Sequence, residues 1–277
     1  MQKTVKYIKE SLRPYYPESE ISGFTRIIIE YLTGKSYASN IANNTEFSSL
    51  QLSRLEETLK RLKQQEPIQH ITGKTEFFGL QFFVNQDTLI PRPETEELVE
   101  LILDGNKGSG YSVLDIGTGS GCIAIALARY LKESEVEAWD FSERALTVAK
   151  ENAKLNKVDV NFSQIDVLSD YPIDKRYHII VSNPPYITES EKEEMEDNVL
   201  QYEPHSALFV PDNQPLLFYE RIADIALQLL NDEGKLYFEI NRAKGKETTE
   251  MLAAKGFSNI ELLKDMSGNN RMISAKR

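Results

Sequence analysis

Residues 112–128 read SVLDIGTGSGCIAIALA: a branched apolar run ending in Asp115 and Ile116, a loop with glycine at 117, 119 and 121, and an apolar stretch from Cys122 without a helix breaker. A strand-like run that passes through a glycine loop into a helix-like one marks an open α/β sheet, where ligands sit outside the carboxyl ends of the strands. Glycine lets a ligand approach the backbone where a side chain would block it. A nucleotide-like ligand is implied. The dinucleotide fingerprint asks for a further glycine at position 122, where Cys122 stands, and no Gly-Lys-Ser/Thr follows to make a phosphate-binding P-loop.

Downstream, strand-like runs (EVEAWD, VNFSQID, YHIIVSN, KLYFEI) alternate with helix-like ones (RALTVAKENAKL, LLFYERIADIALQLL), which predicts a mainly parallel sheet with helices on both faces. The terminal GFSNIELLKDMSGNNRMISAKR adds two short strands around a Gly-Asn-Asn turn, an antiparallel pair at the sheet's end. Upstream, residues 1–74 read as a helical domain. Leu52, Leu55, Leu59 and Leu62 recur at helical spacing, and Ile27, Ile28, Tyr31 and Leu32 mark an earlier helix closed near Gly34. Nothing in this stretch clusters as catalytic groups do. Residues 75–92 form the connector, with aromatic and branched residues around Gly79 and Asn85-Gln86-Asp87 suited to a hairpin. Pro91 and Pro93 then precede an acidic first helical turn and the apolar Leu98, Val99, Leu101 and Ile102, so the second domain spans 93–277.

A chain of 277 residues accommodates two such domains, and 40% apolar with 27% charged residues is the composition of ordinary globular proteins. Neither a signal-peptide core nor a run of ~20 apolar residues is present, so the expectation is a cytoplasmic protein without membrane contact. One cysteine, Cys122, and three scattered histidines, His70, His178 and His205, offer neither a disulfide nor zinc-ligand spacing. A formal charge of −11 disfavours a nucleic-acid partner, since phosphate binding is driven by clustered Lys and Arg.

Two further stretches carry chemistry. Asp140 ends EVEAWD, where a carboxylate can accept both hydrogen bonds of a ribose diol, and a loop-capping role for it stays open. Trp139 beside it reads equally as core or as ligand-lining. Ser182-Asn183-Pro184-Pro185-Tyr186 follows the apolar HIIV directly. Asn183 offers a carbonyl acceptor, and Pro184, lacking an N–H, leaves its surroundings richer in acceptors than in donors. That suits an incoming NH2. The Asn183 side-chain oxygen and the Pro184 carbonyl can hold both hydrogens of an amide and turn its lone pair toward an electrophile, while Tyr186 offers a flat face to a planar group.

The glycine loop resembles the GxGxG motif of S-adenosylmethionine methyltransferases. That resemblance places Gly117, Thr118, Gly119, Ser120, Gly121, Asp140 and Asn183 against the cofactor, Asp115 near its amino-acid end, and Asp166 and Val167 along its adenine. Asn-Pro-Pro-Tyr also occurs in adenine-N6 and other base-nitrogen DNA or RNA methyltransferases, which stand as the alternative. The rest of the chain separates the two. Pro67 to Gly73, Leu89 to Glu100, Asp115 to Ala128, Tyr202-Glu203-Pro204, Ala207-Leu208, Asp265 and Arg271 are similar to segments of the protein-(glutamine-N5) methyltransferases, a likeness spanning roughly 67 to 277. The resemblance implies a class I, Rossmann-like seven-stranded methyltransferase sheet with a small N-terminal helical domain that engages the substrate. The implied substrate is the glutamine of the Gly-Gly-Gln loop in class 1 peptide-chain release factors, gripped by Asn183, Pro184, Pro185 and Tyr186. Two stretches depart from the family pattern: Glu239 to Gly245, where a glycine follows Glu-Ile in the family, and Asp212 to Pro215, in place of a glycine-rich stretch. Both are expected to lie away from the methyl-transfer residues. The acidic run from Glu189 reads as a solvated helix face or a contact for basic partner residues. A non-catalytic scaffold that keeps the fold is the reading from another class.

Overall fold

The computed structural model describes residues 1–277, the side chain of Glu194 excepted. Five helices come first: α1 (Gln2–Leu12), α2 (Glu18–Thr33), α3 (Tyr37–Ala42), α4 (Ser49–Lys63) and α5 (Ile68–Thr72). Then follow β1 (Lys74–Phe77), β2 (Leu80–Phe83), α6 (Pro93–Gly105), β3 (Ser112–Ile116), α7 (Cys122–Tyr130), β4 (Glu135–Asp140), α8 (Glu143–Asn156), β5 (Asn161–Gln164) and β6 (Tyr177–Ser182). The chain closes with β7 (Ile187–Thr188), α9 (Asp197–Tyr202), β8 (Phe209–Val210), α10 (Leu217–Leu229), β9 (Leu230–Glu239), α11 (Gly245–Lys255), β10 (Ser258–Lys264) and β11 (Asn270–Lys276). Among the described residues no helix is long and apolar enough to cross a membrane.

The chain forms two compact units, Met1–Gly73 with Glu196–Tyr202, and Lys74–Met195 with Glu203–Arg277. Division of the sequence into consecutive stretches makes no provision for that return of 196–202 to the first unit. The first unit is a helical cluster around Ile8, Leu12, Ile28, Leu32, Leu55 and Leu59. Its α4 starts at a capping box: Ser48 Oγ accepts from the Gln51 N–H, and the Gln51 side chain accepts from the Ser48 N–H. Helix α2 ends on Gly34 at φ 68°, the left-handed closure that glycine permits. The stripes are narrower than the sequence implies. Leu55, Leu59 and Leu62 are buried but Leu52 is 48% exposed, because Gln51 Nε2 donates to Leu32 O and so sets the first turn of α4 at the very end of α2. Ile27 and Tyr31 also face outward, each one residue, ~100° of helix, from the buried Ile28 and Leu32.

The second unit opens with the β1–β2 hairpin, whose Phe78-Gly79 turn has φ of 50° and 72°, the two left-handed residues of a tight hairpin turn. Asn85 to Asp87 is a separate turn, in which the Asp87 N–H donates to Asn85 Oδ1 at 2.9 Å. The main sheet has seven strands in the order β10-β11-β9-β6-β3-β4-β5. From β9 to β5 its neighbours run parallel, while β11 pairs antiparallel with both β9 and β10. Side chains alternate across it as strand geometry requires. Val113 and Ile179 join α6 and α7 on one face, and Leu114 and Ile180 join α10 and α11 on the other. Trp139 resolves to core, 1% exposed, its Nε1 donating to Glu137 Oε1 at 2.9 Å. Between β6 and α10 the two-residue strands β7 and β8 pair in parallel, too short to leave a periodicity in the sequence.

Gly121 joins the loop to the fold. It caps α7 at φ +82°, and a Cβ there would lie 3.0 Å from Ile125 Cδ1 and 3.1 Å from Ala149 Cβ. Gly121→Ala is therefore expected to destabilise the protein by about 1–3 kcal/mol through strained φ and overpacking. Denaturant unfolding of the two proteins measures the difference, and an unchanged midpoint would refute this account of the loop.

Candidate active site

Strands β3 and β6 run side by side with Ile116 opposite Ser182, and Ser182 Oγ donates to Ile116 O at 2.6 Å. Gly117 and Asn183 therefore leave the sheet at the same edge. The register Ile116 to Trp139 on the other side brings Asp140 to that edge too. These ends open into a cavity of about 310 Å3, within the range of pockets that take cofactor-sized ligands.

Of the residues singled out in the sequence, Gly117, Gly119, Asp140, Asp166, Val167, Asn183, Pro184 and Pro185 line this cavity. Asp115, Thr118, Ser120, Gly121 and Tyr186 do not reach its wall. They act behind it. Asp115 Oδ2 accepts from Thr118 Oγ1 at 2.6 Å and from the Ala124 N–H at 3.2 Å, stapling the loop to α7, while Ser120 O accepts from Asn152 Nδ2 at 2.9 Å. Sequence reasoning missed Gln86 to Leu89 from the linker, Phe141 after Asp140, and Ala207, all of which face the cavity. Phe141 had a signal in its position next to Asp140; the linker residues had none, since only the fold returns them to this edge.

The geometry suits a nucleoside with a free ribose diol. Asp140 Oδ2 accepts from the Gly119 N–H at 2.8 Å and Oδ1 from the Ser142 N–H at 2.9 Å, so each oxygen keeps a second lone pair for a ligand. Burial raises the Asp140 pKa, opposed by those backbone N–H groups. Charge narrows the ligand further. Asp87, Asp140 and Asp166 line the cavity against Arg144 alone, whose Nη1 lies 3.7 Å from Asp87 Oδ1. A phosphorylated ligand is repelled by such a wall and a cationic one, such as a sulfonium, is attracted. One oxygen of the buried Asp115, Oδ1, has no hydrogen-bond partner, which leaves an acceptor behind the glycine loop for a donor to meet. Among the described residues no group of three or more His, Cys, Asp or Glu is placed to hold a metal.

The second departure from expectation concerns Glu239 to Gly245, which does not lie away from Asn183 to Tyr186. Strand β9 neighbours β6 with Phe238 opposite Ser182, so its end emerges beside the Asn-Pro-Pro-Tyr loop. Glu239, 2% exposed, accepts from Thr95 Oγ1 at 2.6 Å and from the Tyr186 hydroxyl at 3.2 Å. Asn241 Nδ2 donates to Tyr186 O at 3.1 Å and to Glu191 Oε1 at 3.1 Å. The stretch Asp212 to Pro215 stays clear of Asn183 to Tyr186 and bonds the chain beyond β7, with Asp212 Oδ1 accepting from the Ser190 N–H at 2.9 Å. The acidic run is likewise no uniform solvated face. Glu189 and Glu193 are exposed, but Glu191 also accepts from the Thr188 N–H at 2.7 Å. Burial pushes its pKa up, yet the bonds from Thr188 and Asn241 outweigh that and hold it below the ordinary value. The side chain of Glu194 in this run lies outside what is described.

Two family models match the chain, one over its first helices and one over part of the sheet. Residues 4–73 match the family model described as PrmC N-terminal domain, and residues 95–203 match Methyltransferase small domain. The chain is 48% identical over 269 residues to the release factor glutamine methyltransferase of Flavobacterium psychrophilum, covering 95% of this chain and 94% of that protein. It is 44% identical over 279 residues to that of Bacteroides thetaiotaomicron, with 100% of both chains covered. Among solved structures, a Pyrococcus furiosus methyltransferase superposes with a TM-score of 0.55 at 17% identity, over 83% of this chain and 98% of that one. A Thermus thermophilus 16S rRNA N2 G1207 methyltransferase superposes with a TM-score of 0.53 at 18% identity, over 74% of this chain and 49% of that one. At such identities the two structures bear on the fold alone.

Burial pushes the Asp115 carboxyl up to about 7, opposed by its bonds from Thr118 and Ala124. The unfolded carboxyl titrates near ~3.9, so the folded form holds its proton more tightly. Its contribution to stability is then full below about pH 4 and lost as the pH rises through the folded value. Asp115→Asn keeps an acceptor for Thr118 and Ala124 and removes the titration. In thermal unfolding the variant is expected to gain on the parent protein between about pH 4.5 and about pH 8; a difference that stays flat across that window contradicts the assignment.

Proposed function

The chain belongs to the release factor glutamine methyltransferase family, and from that membership we propose that it methylates N5 of the glutamine in the Gly-Gly-Gln loop of class 1 release factors. It is an S-adenosylmethionine-dependent methyltransferase. One observation carries the reading to the chemistry: Asn183 and Pro184 open from the end of β6 into the same cavity that Asp140 and the glycine loop border.

The residues divide the work. Asp140 holds the ribose diol, Val167 and Asp166 flank the adenine, and Gly117 to Gly121, backed by Asp115, Thr118 and Ser120, shape the bed for the amino-acid end. When bound, S-adenosylmethionine supplies a methyl group made electrophilic by its sulfonium. An amide nitrogen attacks poorly because its lone pair is shared with its carbonyl. Asn183 Oδ1 and Pro184 O accept the two amide hydrogens, hold the nitrogen in place and stabilise the positive charge that grows on it. No strong base is needed during attack, and the surplus proton, made strongly acidic by the new N–C bond, passes to water. Tyr186 packs against the core between the sheet and α10, and its hydroxyl, kept protonated by burial beside Glu239, is a fixed support rather than an acid.

The helical unit engages the factor, and the enzyme works in the cytoplasm, where termination takes place. Net charge and the acid-lined cavity both weigh against a nucleic-acid substrate.

Incubation with methyl-labelled cofactor and either a release factor or mixed nucleic acid tests this reading. Label is expected in the factor and absent from a factor whose loop glutamine is replaced by alanine; label in nucleic acid alone would overturn it. Asn183→Ala is expected to leave cofactor affinity within about threefold and to lower kcat by about 10²-fold or more, as loss of a transition-state contact does. Calorimetry and turnover read the two separately.

A further inference from the structure

Asn183 serves the reaction one way round only. Its amide carries an acceptor and a donor of nearly equal size, and half a turn of its terminal group would offer hydrogens, instead of lone pairs, to the substrate NH2. The fold contains a device that fixes the choice. Asn183 Nδ2 meets Thr95 Oγ1 of α6 at 3.4 Å, a long bond of the kind that tightens on substrate binding. Thr95 is 3% exposed, and its hydroxyl lies 2.6 Å from Glu239 Oε2. A hydroxyl has one hydrogen, and an ionised carboxylate can only accept. The Thr95 hydrogen therefore goes to Glu239, and only lone pairs of Oγ1 remain to face Asn183. That obliges the Asn183 NH2 to turn toward Thr95 and its oxygen to turn away, to the side where an acceptor is wanted.

We propose that Glu239 is a positioning residue that acts through Thr95 to set the orientation of the Asn183 amide, so that the site offers an acceptor and not a donor to the incoming nitrogen. The carboxylate is itself fixed. Tyr186 donates to its other oxygen at 3.2 Å, and the Tyr219 hydroxyl donates to the Glu239 backbone oxygen at 3.2 Å. Burial raises the pKa of the Glu239 carboxyl, opposed by the hydroxyls of Thr95 and Tyr186 and by the nearby Arg271, each of which favours the ionised form. The direction of donation thus runs from Asn183 to Thr95 to Glu239 over elements that are 88 and 144 residues apart in sequence. The inference rests on the reading that Asn183 accepts from an amide NH2.

Thr95→Val, which keeps shape and removes the hydroxyl, tests it together with Thr95→Ser, Glu239→Gln and the Val/Gln double variant. Thr95→Val and Glu239→Gln are each expected to lower kcat about 10²-fold, with cofactor Kd and factor KM within about threefold of the parent. Thr95→Ser should restore kcat to within about threefold, and the double variant should be no slower than the slower single one, as residues acting in one chain are not additive. Cofactor calorimetry establishes that each variant is folded, and Thr95→Val carries the test if Glu239→Gln is not. NMR of the Asn183 side-chain amide reads orientation without turnover: one Nδ2 proton is expected to be slowed in exchange in the parent and not in Thr95→Val. If the parent labels the factor and Thr95→Val keeps full kcat, the inference falls and the function stands. If the parent fails to label the factor, the function falls, and equal proton exchange in parent and Thr95→Val would overturn the inference independently.

Discussion

The hydroxyl of Ser182, bonded to the carbonyl of Ile116, ties the last residue of one central strand to the last residue of its neighbour. Parallel strands in register end together, and a slip of one residue would turn every side chain to the opposite face of the sheet. The glycine loop and the Asn-Pro-Pro-Tyr loop come from positions more than sixty residues apart, yet this register delivers both to one cavity. With β4 and β9 as the flanking neighbours, the same edge also receives Asp140 and Glu239. Catalytic geometry here follows from strand pairing before any loop is considered.

That edge concentrates polarity inside an otherwise apolar core. Asp115, Asp140 and Glu239 are all almost fully buried, and burial raises the pKa of each. Buried charges destabilise a fold unless hydrogen bonds satisfy them. Asp140 and Glu239 have a donor on each oxygen, whereas Asp115 retains an oxygen without one. The acids divide by position: Asp140 faces the cavity, while Glu239 and Asp115 stand behind the loops that do. A site built this way gives up some stability for side chains whose orientation is settled before substrate arrives.

Local chemistry was readable from the sequence, and long-range partnership was not. The glycine loop, Asp140 and Asn183 to Tyr186 each announce themselves within a few residues, through a strand end followed by residues that only a turn explains. The alternating sheet and the antiparallel pair at its end were legible for the same reason. Glu239, Thr95 and Asn241 carry no such mark. Thr95 sits in a helical first turn where a threonine is unremarkable, and its role exists only because α6 packs where β9 ends. Leu52 shows the converse limit: its spacing is that of a buried stripe, but whether a stripe is covered depends on where the partner helix stops. The cavity face of Gln86 to Leu89 was hidden likewise, since a linker's composition says nothing about where it passes.

The residues that follow β9 and β8 bear on the loop's far end. Asn241 supplies a side-chain amide that bonds the Tyr186 carbonyl and the Glu191 carboxylate together. Asp212 fastens Ser190 a few residues further on. The Asn-Pro-Pro-Tyr loop is thus restrained at its start by strand pairing, through its side chains by Glu239 and Thr95, and at and beyond its exit by Asn241 and Asp212. Methyl transfer to an amide gains little from a proton-transfer group, because the hard part is to turn a reluctant lone pair toward the carbon and keep it there. In such a reaction restraint of the acceptors is itself the catalytic resource, and the bonds that hold the loop's exit add to that restraint.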